Sequence, residues 1–333
     1  MIKVHCLVSC VCEVIKRSDA DHRPYYFGIW DADFALTSEF VLSHHAAHIS
    51  HEAMLDWYRL LYGINVQSWY DSSRSKAANL TVLEQFMKTK RPEQSVIVML
   101  DLARLPEREN KFHHEVFPHY VMLEPTDDED RWRMLDPDFR YEGEFDRTRI
   151  LQAIDQPTVA GGFWFDGSQV KLPDTETVSA YFMSGLKRHH PLTEAVEQVI
   201  LHHASRPEKL PEALKQLPVI AIRKYAYEHA FAYFYERLGI DLVASDFDDW
   251  CDKIEQLVNQ YTIIQHRAIK YSMTRDRADL QDIQQWLVAQ TTLEDDIKRQ
   301  LVDLFSRFQQ KEGETDATRT LYDQLPASST VIR

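Results

Sequence analysis

The stretch Val4-His5-Cys6-Leu7-Val8-Ser9-Cys10-Val11-Cys12-Glu13-Val14-Ile15 is apolar, free of glycine and closed by Lys16-Arg17. Basic residues at its end favour a helix C-terminus, so the pattern predicts a buried helix starting at or near Cys6. A cysteine at a helix N-terminus feels the positive end of the backbone dipole, which favours thiolate over thiol. That is the requirement for a nucleophilic cysteine at neutral pH. Cys6, Cys10 and Cys12 also suit a plain core, because free cysteine is among the most buried residue types. The decision between the two readings rests on partners more than a hundred residues downstream.

The chain has 333 residues with 44% hydrophobic and 11% aromatic content, enough for two ordinary domains or one large one. Only nine residues are glycine, which disfavours a fold built on glycine-rich nucleotide loops. The net charge of −14 argues against nucleic acid, since phosphate affinity needs clustered Lys and Arg. It suits a cationic small molecule such as a polyamine. Four cysteines, three of them within seven residues, point to a reduced cytoplasmic chain rather than a disulfide framework. The N-terminal run is interrupted by charge too early for a removable leader, and no segment reaches the roughly 18 apolar residues of a membrane span.

Outward from the first helix, Tyr25-Tyr26-Phe27-Gly28-Ile29-Trp30 reads as a strand or a cavity wall, followed by Asp31 and Asp33. Residues 50–62 and 75–90 read as amphipathic helices. The period then changes. Ser95–Leu100, Tyr120–Leu123 and Arg131–Leu135 read as strands, and 161–165 with 169–172 as a hairpin about Asp166-Gly167. Beyond Pro173 the pattern predicts helices over 175–187, 193–204, 218–238, 247–272, 279–290 and 293–310. The reading is therefore α+β, with helices plus a mostly antiparallel sheet in residues 1–173, an all-α domain over 174–312 and a loose tail over 313–333.

A thiol nucleophile needs a base, and the base needs a third group to fix its orientation. His119 opens one strand and Asp136 closes the next, across a short acidic turn. An antiparallel pairing brings the first residue of one strand near the last of the following one. Cys6, His119 and Asp136 are thus the candidate catalytic set. Tyr26, Trp30, Asp31 and Asp33 are candidates for a polyamine site, which wants carboxylates and aromatic faces. An acidic protein partner would need a local basic patch on this acidic chain. The two candidates are Arg74, Lys76, Lys88, Lys90 and Arg91, or Arg206, Lys209, Lys215, Arg223 and Lys224.

The order of helix cysteine, strand histidine and aspartate resembles the papain-like cysteine enzymes. His5-Cys6, Val98–Pro106, His119–Leu123 and Leu135-Asp136-Pro137 resemble the butirosin biosynthesis protein BtrH over about residues 1–140. Tyr25–Phe34 and the helical second half resemble the petrobactin biosynthesis AsbE family over most of the chain. The resemblance implies a papain-like N-terminal domain. It also implies transfer of 3,4-dihydroxybenzoyl from an acyl carrier protein to a primary amine of spermidine or its citryl conjugate. Phosphopantetheine would arrive on the carrier, with no cofactor or metal held by the enzyme itself. Papain-like enzymes usually place a glutamine upstream of the cysteine. None stands before Cys6 here, so the oxyanion is expected to use the Cys6 backbone N–H and a donor from His5 or the 25–33 segment.

Three other readings stand beside this one. His44, His45, His48 and His51, and separately His113, His114 and His119, have spacings that can chelate a metal, but no His-Glu-x-x-His motif accompanies them. A cysteine hydrolase of the same fold would carry the same triad. A non-catalytic carrier or siderophore-binding protein would keep the fold with an unreactive Cys6.

Overall fold

The computed structural model describes residues 4–44, 50–105 and 116–313, which form two compact units. His45, His48, His113, His114 and the tail beyond residue 313 lie outside the described residues.

The first unit comprises the residues up to Tyr25 together with Glu52–Asp174. Helix α1 spans Cys6–Ile15, with His5 in extended conformation at its N-cap. Leu7–Cys12, Val14 and Ile15 are buried, as a helix apolar on nearly every face must be. Helices α2 (Glu52–Tyr62) and α3 (Lys76–Thr89) follow the expected pattern, and the Ser75 hydroxyl accepts from the Ala78 N–H to cap α3. The strands are β1 (Gln67–Ser68), β2 (Gln94–Asp101), β3 (Pro118–Pro125), β4 (Arg131–Asp136), β5 (Tyr141–Asp146) and β6 (Gly162–Asp166). They pair antiparallel in the order β1-β6-β2-β3-β4-β5. The continuous apolar run of β2 lies in the middle of this sheet, buried from Ser95 onward. Strands buried on both faces read as such runs.

Two features differ from expectation. The segment 169–172 is not the partner of β6, which pairs instead with β1 and β2. Leu172 is 63% exposed, so a strand there would have no face to bury. A helix α4 (Arg147–Ile154) also appears. Its signal was present in the capping Asp146, which accepts from the Arg149 N–H, and in the buried i, i+3, i+4 set Ile150, Ala153 and Ile154.

The second unit comprises Tyr26–His51 and the chain from Thr175 onward. Its helices are α5 (Thr175–Gly185), α6 (Pro191–His203), α7 (Leu210–Ala213), α8 (Leu217–Ala221), α9 (Ala226–Leu238), α10 (Phe247–Thr274) and α11 (Arg277–Glu312). The fold is thus α+β as expected: a helix and an antiparallel sheet first, then a largely helical region. The expected helix 218–238 is broken by a tighter 3-10 turn at Ile222–Tyr225, which directs Arg223 and Lys224 inward. The helices expected at 279–290 and 293–310 are one. At the expected break Thr291 and Thr292 return their hydroxyls to the Leu287 and Val288 carbonyls one turn earlier, a bond that threonine makes inside a helix.

The aromatic run after Tyr25 is not a strand. It turns through Ile29–Asp31 and packs as core, with Phe27 stacked on Phe234 at 5.5 Å and Trp30 on Tyr227 at 4.6 Å. Gly28, at φ 78°, meets Gly185 so closely that a Cβ there would lie 2.8 Å from the Gly185 Cα. Among the described residues no helix is long and apolar enough to cross a membrane.

Candidate active site

Three separate segments of the first unit bring the candidate catalytic residues together. Cys6 is the first residue of α1 and half-buried, whereas Cys10 and Cys12, further along the same helix, are fully buried. The intrahelical ladder begins with the Ser9 N–H on the His5 carbonyl, so the Cys6 N–H stands outside it. His119 is the second residue of β3 and Asp136 the last of β4. The β3–β4 register pairs Met122 with Leu135. Continued by one step, it sets Asp136 opposite Val121, diagonal to His119 on the same face. Long side chains reach each other across such a diagonal. His119 Nε2 lies 3.1 Å from Asp136 Oδ1, both residues being buried.

The His119 imidazole favours its cation. Burial disfavours its cation, but the Asp136 carboxylate and the Cys6 sulfur overcome that, by charge and by hydrogen bonding, and raise the His119 pKa to about 10. Asp136 takes the Nε2 side of the ring. Two rings enclose the imidazole. Phe117 stacks at 5.8 Å, and Phe139 meets the ring edge-on at 5.2 Å. Cys10 is held in the core as a neutral thiol. Its thiol donates to the Tyr120 carbonyl, and burial, with Asp136 and Cys6 nearby, pushes its pKa well up.

The turn after β4 carries a residue that the sequence reading passed over. Asp138 Oδ1 accepts from the Val4 N–H at 3.2 Å and from the Ser9 hydroxyl at 2.9 Å. The only sequence signal was a second aspartate two residues after Asp136. In the same turn the Phe139 N–H donates to Asp136 Oδ1 at 3.2 Å, and Arg140 takes a left-handed φ of 52°.

Tyr26, Trp30, Asp31 and Asp33 lie in the second unit. Tyr26 is buried against His229, its ring 3.8 Å from the imidazole. Asp31 is buried between Lys224 at 2.7 Å and Lys298 at 2.8 Å. Asp33 is exposed, and its carbonyl accepts from Arg223. Of the basic side chains considered for carrier docking, Arg223 and Lys224 are buried. Lys76 donates to the Ile154, Gln156 and Val159 carbonyls.

His44 contacts Gln216 through Nδ1 at 2.6 Å. Burial, helped by Arg223, lowers the His51 pKa to about 4. Among the described residues no three metal-ligating side chains converge. A cleft of about 410 Å³ lined by Met87, Lys88, Arg131, Trp132 and Arg147 lies at the opposite end of β3 from His119 and contains none of the three candidate residues.

Two domain families match the chain. The DUF6005 N-terminal domain covers residues 1–170 and the DUF6005 C-terminal domain residues 176–321. The chain is also similar to the petrobactin synthase of Bacillus anthracis, 44% identical over 307 residues, which is 90% of this chain and 93% of that protein.

Proposed function

The chain belongs to the DUF6005 family, and from that premise we propose that it is an amide-forming acyltransferase of petrobactin-type siderophore biosynthesis. In this reading it takes 3,4-dihydroxybenzoyl from an acyl carrier protein and gives it to a primary amine of spermidine or citryl-spermidine. The relative named petrobactin synthase supports the pathway. The observation that carries the chemistry is the buried His119, held between Asp136 and Cys6.

The steps follow from that arrangement. The Cys6 sulfur attacks the thioester carbonyl, a new C–S bond forms, and the carrier's phosphopantetheine thiol leaves with the proton of His119. The sulfur of the acyl-enzyme is neutral, so its support for the imidazolium is gone. Burial then pulls His119 toward the neutral base that the next step requires. The unprotonated amine attacks, His119 takes its proton, and Cys6 departs as thiolate beside a restored imidazolium. Asp136 holds the ring and its cation throughout. Phe117 and Phe139 keep bulk water off the imidazole.

The test is intact-mass spectrometry after mixing the protein with 3,4-dihydroxybenzoyl-carrier protein without amine. A mass gain is expected that Cys6→Ala abolishes, Cys10→Ala retains, and spermidine discharges as an amide. Discharge to free acid at the same rate with or without amine would make it a hydrolase. An adduct that persists in Cys6→Ala would remove Cys6 from the mechanism.

A further inference from the structure

We infer that Asp138 is the positioning residue for the nucleophile, holding α1 so that Cys6 stays on the His119 imidazole. The inference rests on the thiol reading above and deepens it. One carboxylate oxygen grips the Cys6 segment on both sides, at the Val4 N–H before it and at the Ser9 hydroxyl one turn after it. Asp138 is 9% exposed and Ser9 5%, so neither bond is exchanged readily for water.

The turn that supplies Asp138 also supplies the other parts of the constellation. Asp136 accepts from His119 and from the Phe139 N–H, and the Phe139 ring abuts the imidazole. Five residues, Asp136–Arg140, therefore fix base and nucleophile relative to each other. His5 makes no side-chain cap, and the first turn holds no acidic residue. The role of Asp138 is mechanical, not electrostatic. A carboxylate near Cys6 opposes a thiolate, and Asp138 is among the charges that push the neighbouring Cys10 thiol up. An asparagine that keeps the acceptor oxygen should therefore serve in its place.

The experiment is an NMR titration of the His119 ring in protein carrying 13C-labelled histidine, with His119→Gln to assign the signal. It is paired with single-turnover acylation by dihydroxybenzoyl-carrier protein. In the wild type the midpoint should lie near 10 and fall in Cys6→Ala. Asp138→Ala should fall to the Cys6→Ala midpoint, Asp138→Ala in the Cys6→Ala background should fall no further, and Asp138→Asn should restore the wild-type value. Acylation should drop on the order of 100-fold in Asp138→Ala, the loss that a displacement of about 1 Å produces, and recover in Asp138→Asn. A wild-type midpoint in Asp138→Ala, with Cys6→Ala shifted, would overturn the role of Asp138 and leave the thiol reading standing. Identical midpoints in the wild type and Cys6→Ala would overturn both. If Asp138→Ala does not fold, Ser9→Ala removes one of the two donors and should shift the midpoint part-way. No shift there overturns the proposal.

Discussion

Lys224→Met should be among the most damaging single substitutions in the helical unit, and the reason can be worked from four buried charges. Lys224 Nζ lies 2.7 Å from Asp31 Oδ1 and 2.5 Å from Glu294 Oε1. Lys298 lies 2.8 Å from Asp31 Oδ2 and 3.8 Å from Glu294 Oε1. All four side chains are at most 1% exposed. Two lysine cations face two carboxylates, the Tyr227 hydroxyl donates to Glu294 at 2.8 Å, and the His190 ring stands 3.4 Å from Glu294 Oε2. Methionine keeps most of the volume of the lysine stem but leaves two carboxylates on one ammonium. Removing one partner of a buried pair costs about 3–5 kcal/mol.

Glu294→Gln leaves the opposite excess and should cost a similar amount. The double variant leaves Asp31 and Lys298 as a neutral pair, so its cost should fall short of the sum by about 0.5–3 kcal/mol, the range of coupling between contacting residues.

The pH dependence has a definite sign. Burial works against ionised Glu294, yet Lys224 and Lys298 hold its pKa well below the usual range, and that of Asp31 is lowered in the same way. Stability from such groups is present above their unfolded pKa values, near 4, and is lost as pH falls through the depressed folded values. In Lys224→Met burial drives the surplus carboxylate up, so it takes a proton in the folded state. The deficit of the variant should therefore shrink as pH falls from 7 toward 4. The assay is urea unfolding at pH 5 and pH 8, read by hydrogen-exchange mass spectrometry on α9 and α11 peptides. A deficit under 1 kcal/mol, additive costs in the double variant, or a deficit that grows in acid would refute the reasoning.

Asp136→Asn should lower the single-turnover acylation rate by about 10²–10⁴-fold, the share usual for an oriented acid–base residue, and should lower the His119 midpoint from about 10 because the largest influence raising it is removed. An unchanged midpoint would show that Asp136 does not hold the imidazolium. Gly28→Ala should destabilise the helical unit by about 2–4 kcal/mol, combining a left-handed backbone with overpacking against Gly185. Gly239→Ala, with a similar φ of 74° but open space around it, should cost only about 1 kcal/mol. Thermal or urea unfolding of the two variants checks the pair, and equal costs would contradict the assigned backbone contact.

Much of the candidate site was legible because it depends on local patterns. Apolar residues on nearly every face, with a basic close, specify α1 and put Cys6 at its first position. The β-branched and alternating runs about His119 and Asp136 specify two strands, and the short acidic turn between them dictates antiparallel pairing. These are properties of segments a dozen residues long, where periodicity and turn chemistry decide the outcome.

What needed the tertiary structure lies in contacts between distant segments. Asp31 read as a carboxylate for a cationic ligand, yet Lys224 and Lys298, 193 and 267 residues away, neutralise it in the core. No local pattern announces a buried lysine, because the cost of burying its charge is offset only by partners that the fold supplies. The 3-10 turn at Ile222–Tyr225 is the local trace of that requirement. Asp138 has no local signal beyond its nearness to Asp136, and its grip on Val4 and Ser9 exists only because β4 ends beside α1. Residue type and period therefore chose helix, strand and the place of Cys6 at a helix start, whereas the balance of buried charge and the placing of Cys6 by His119 were decided by which distant groups the fold desolvates together.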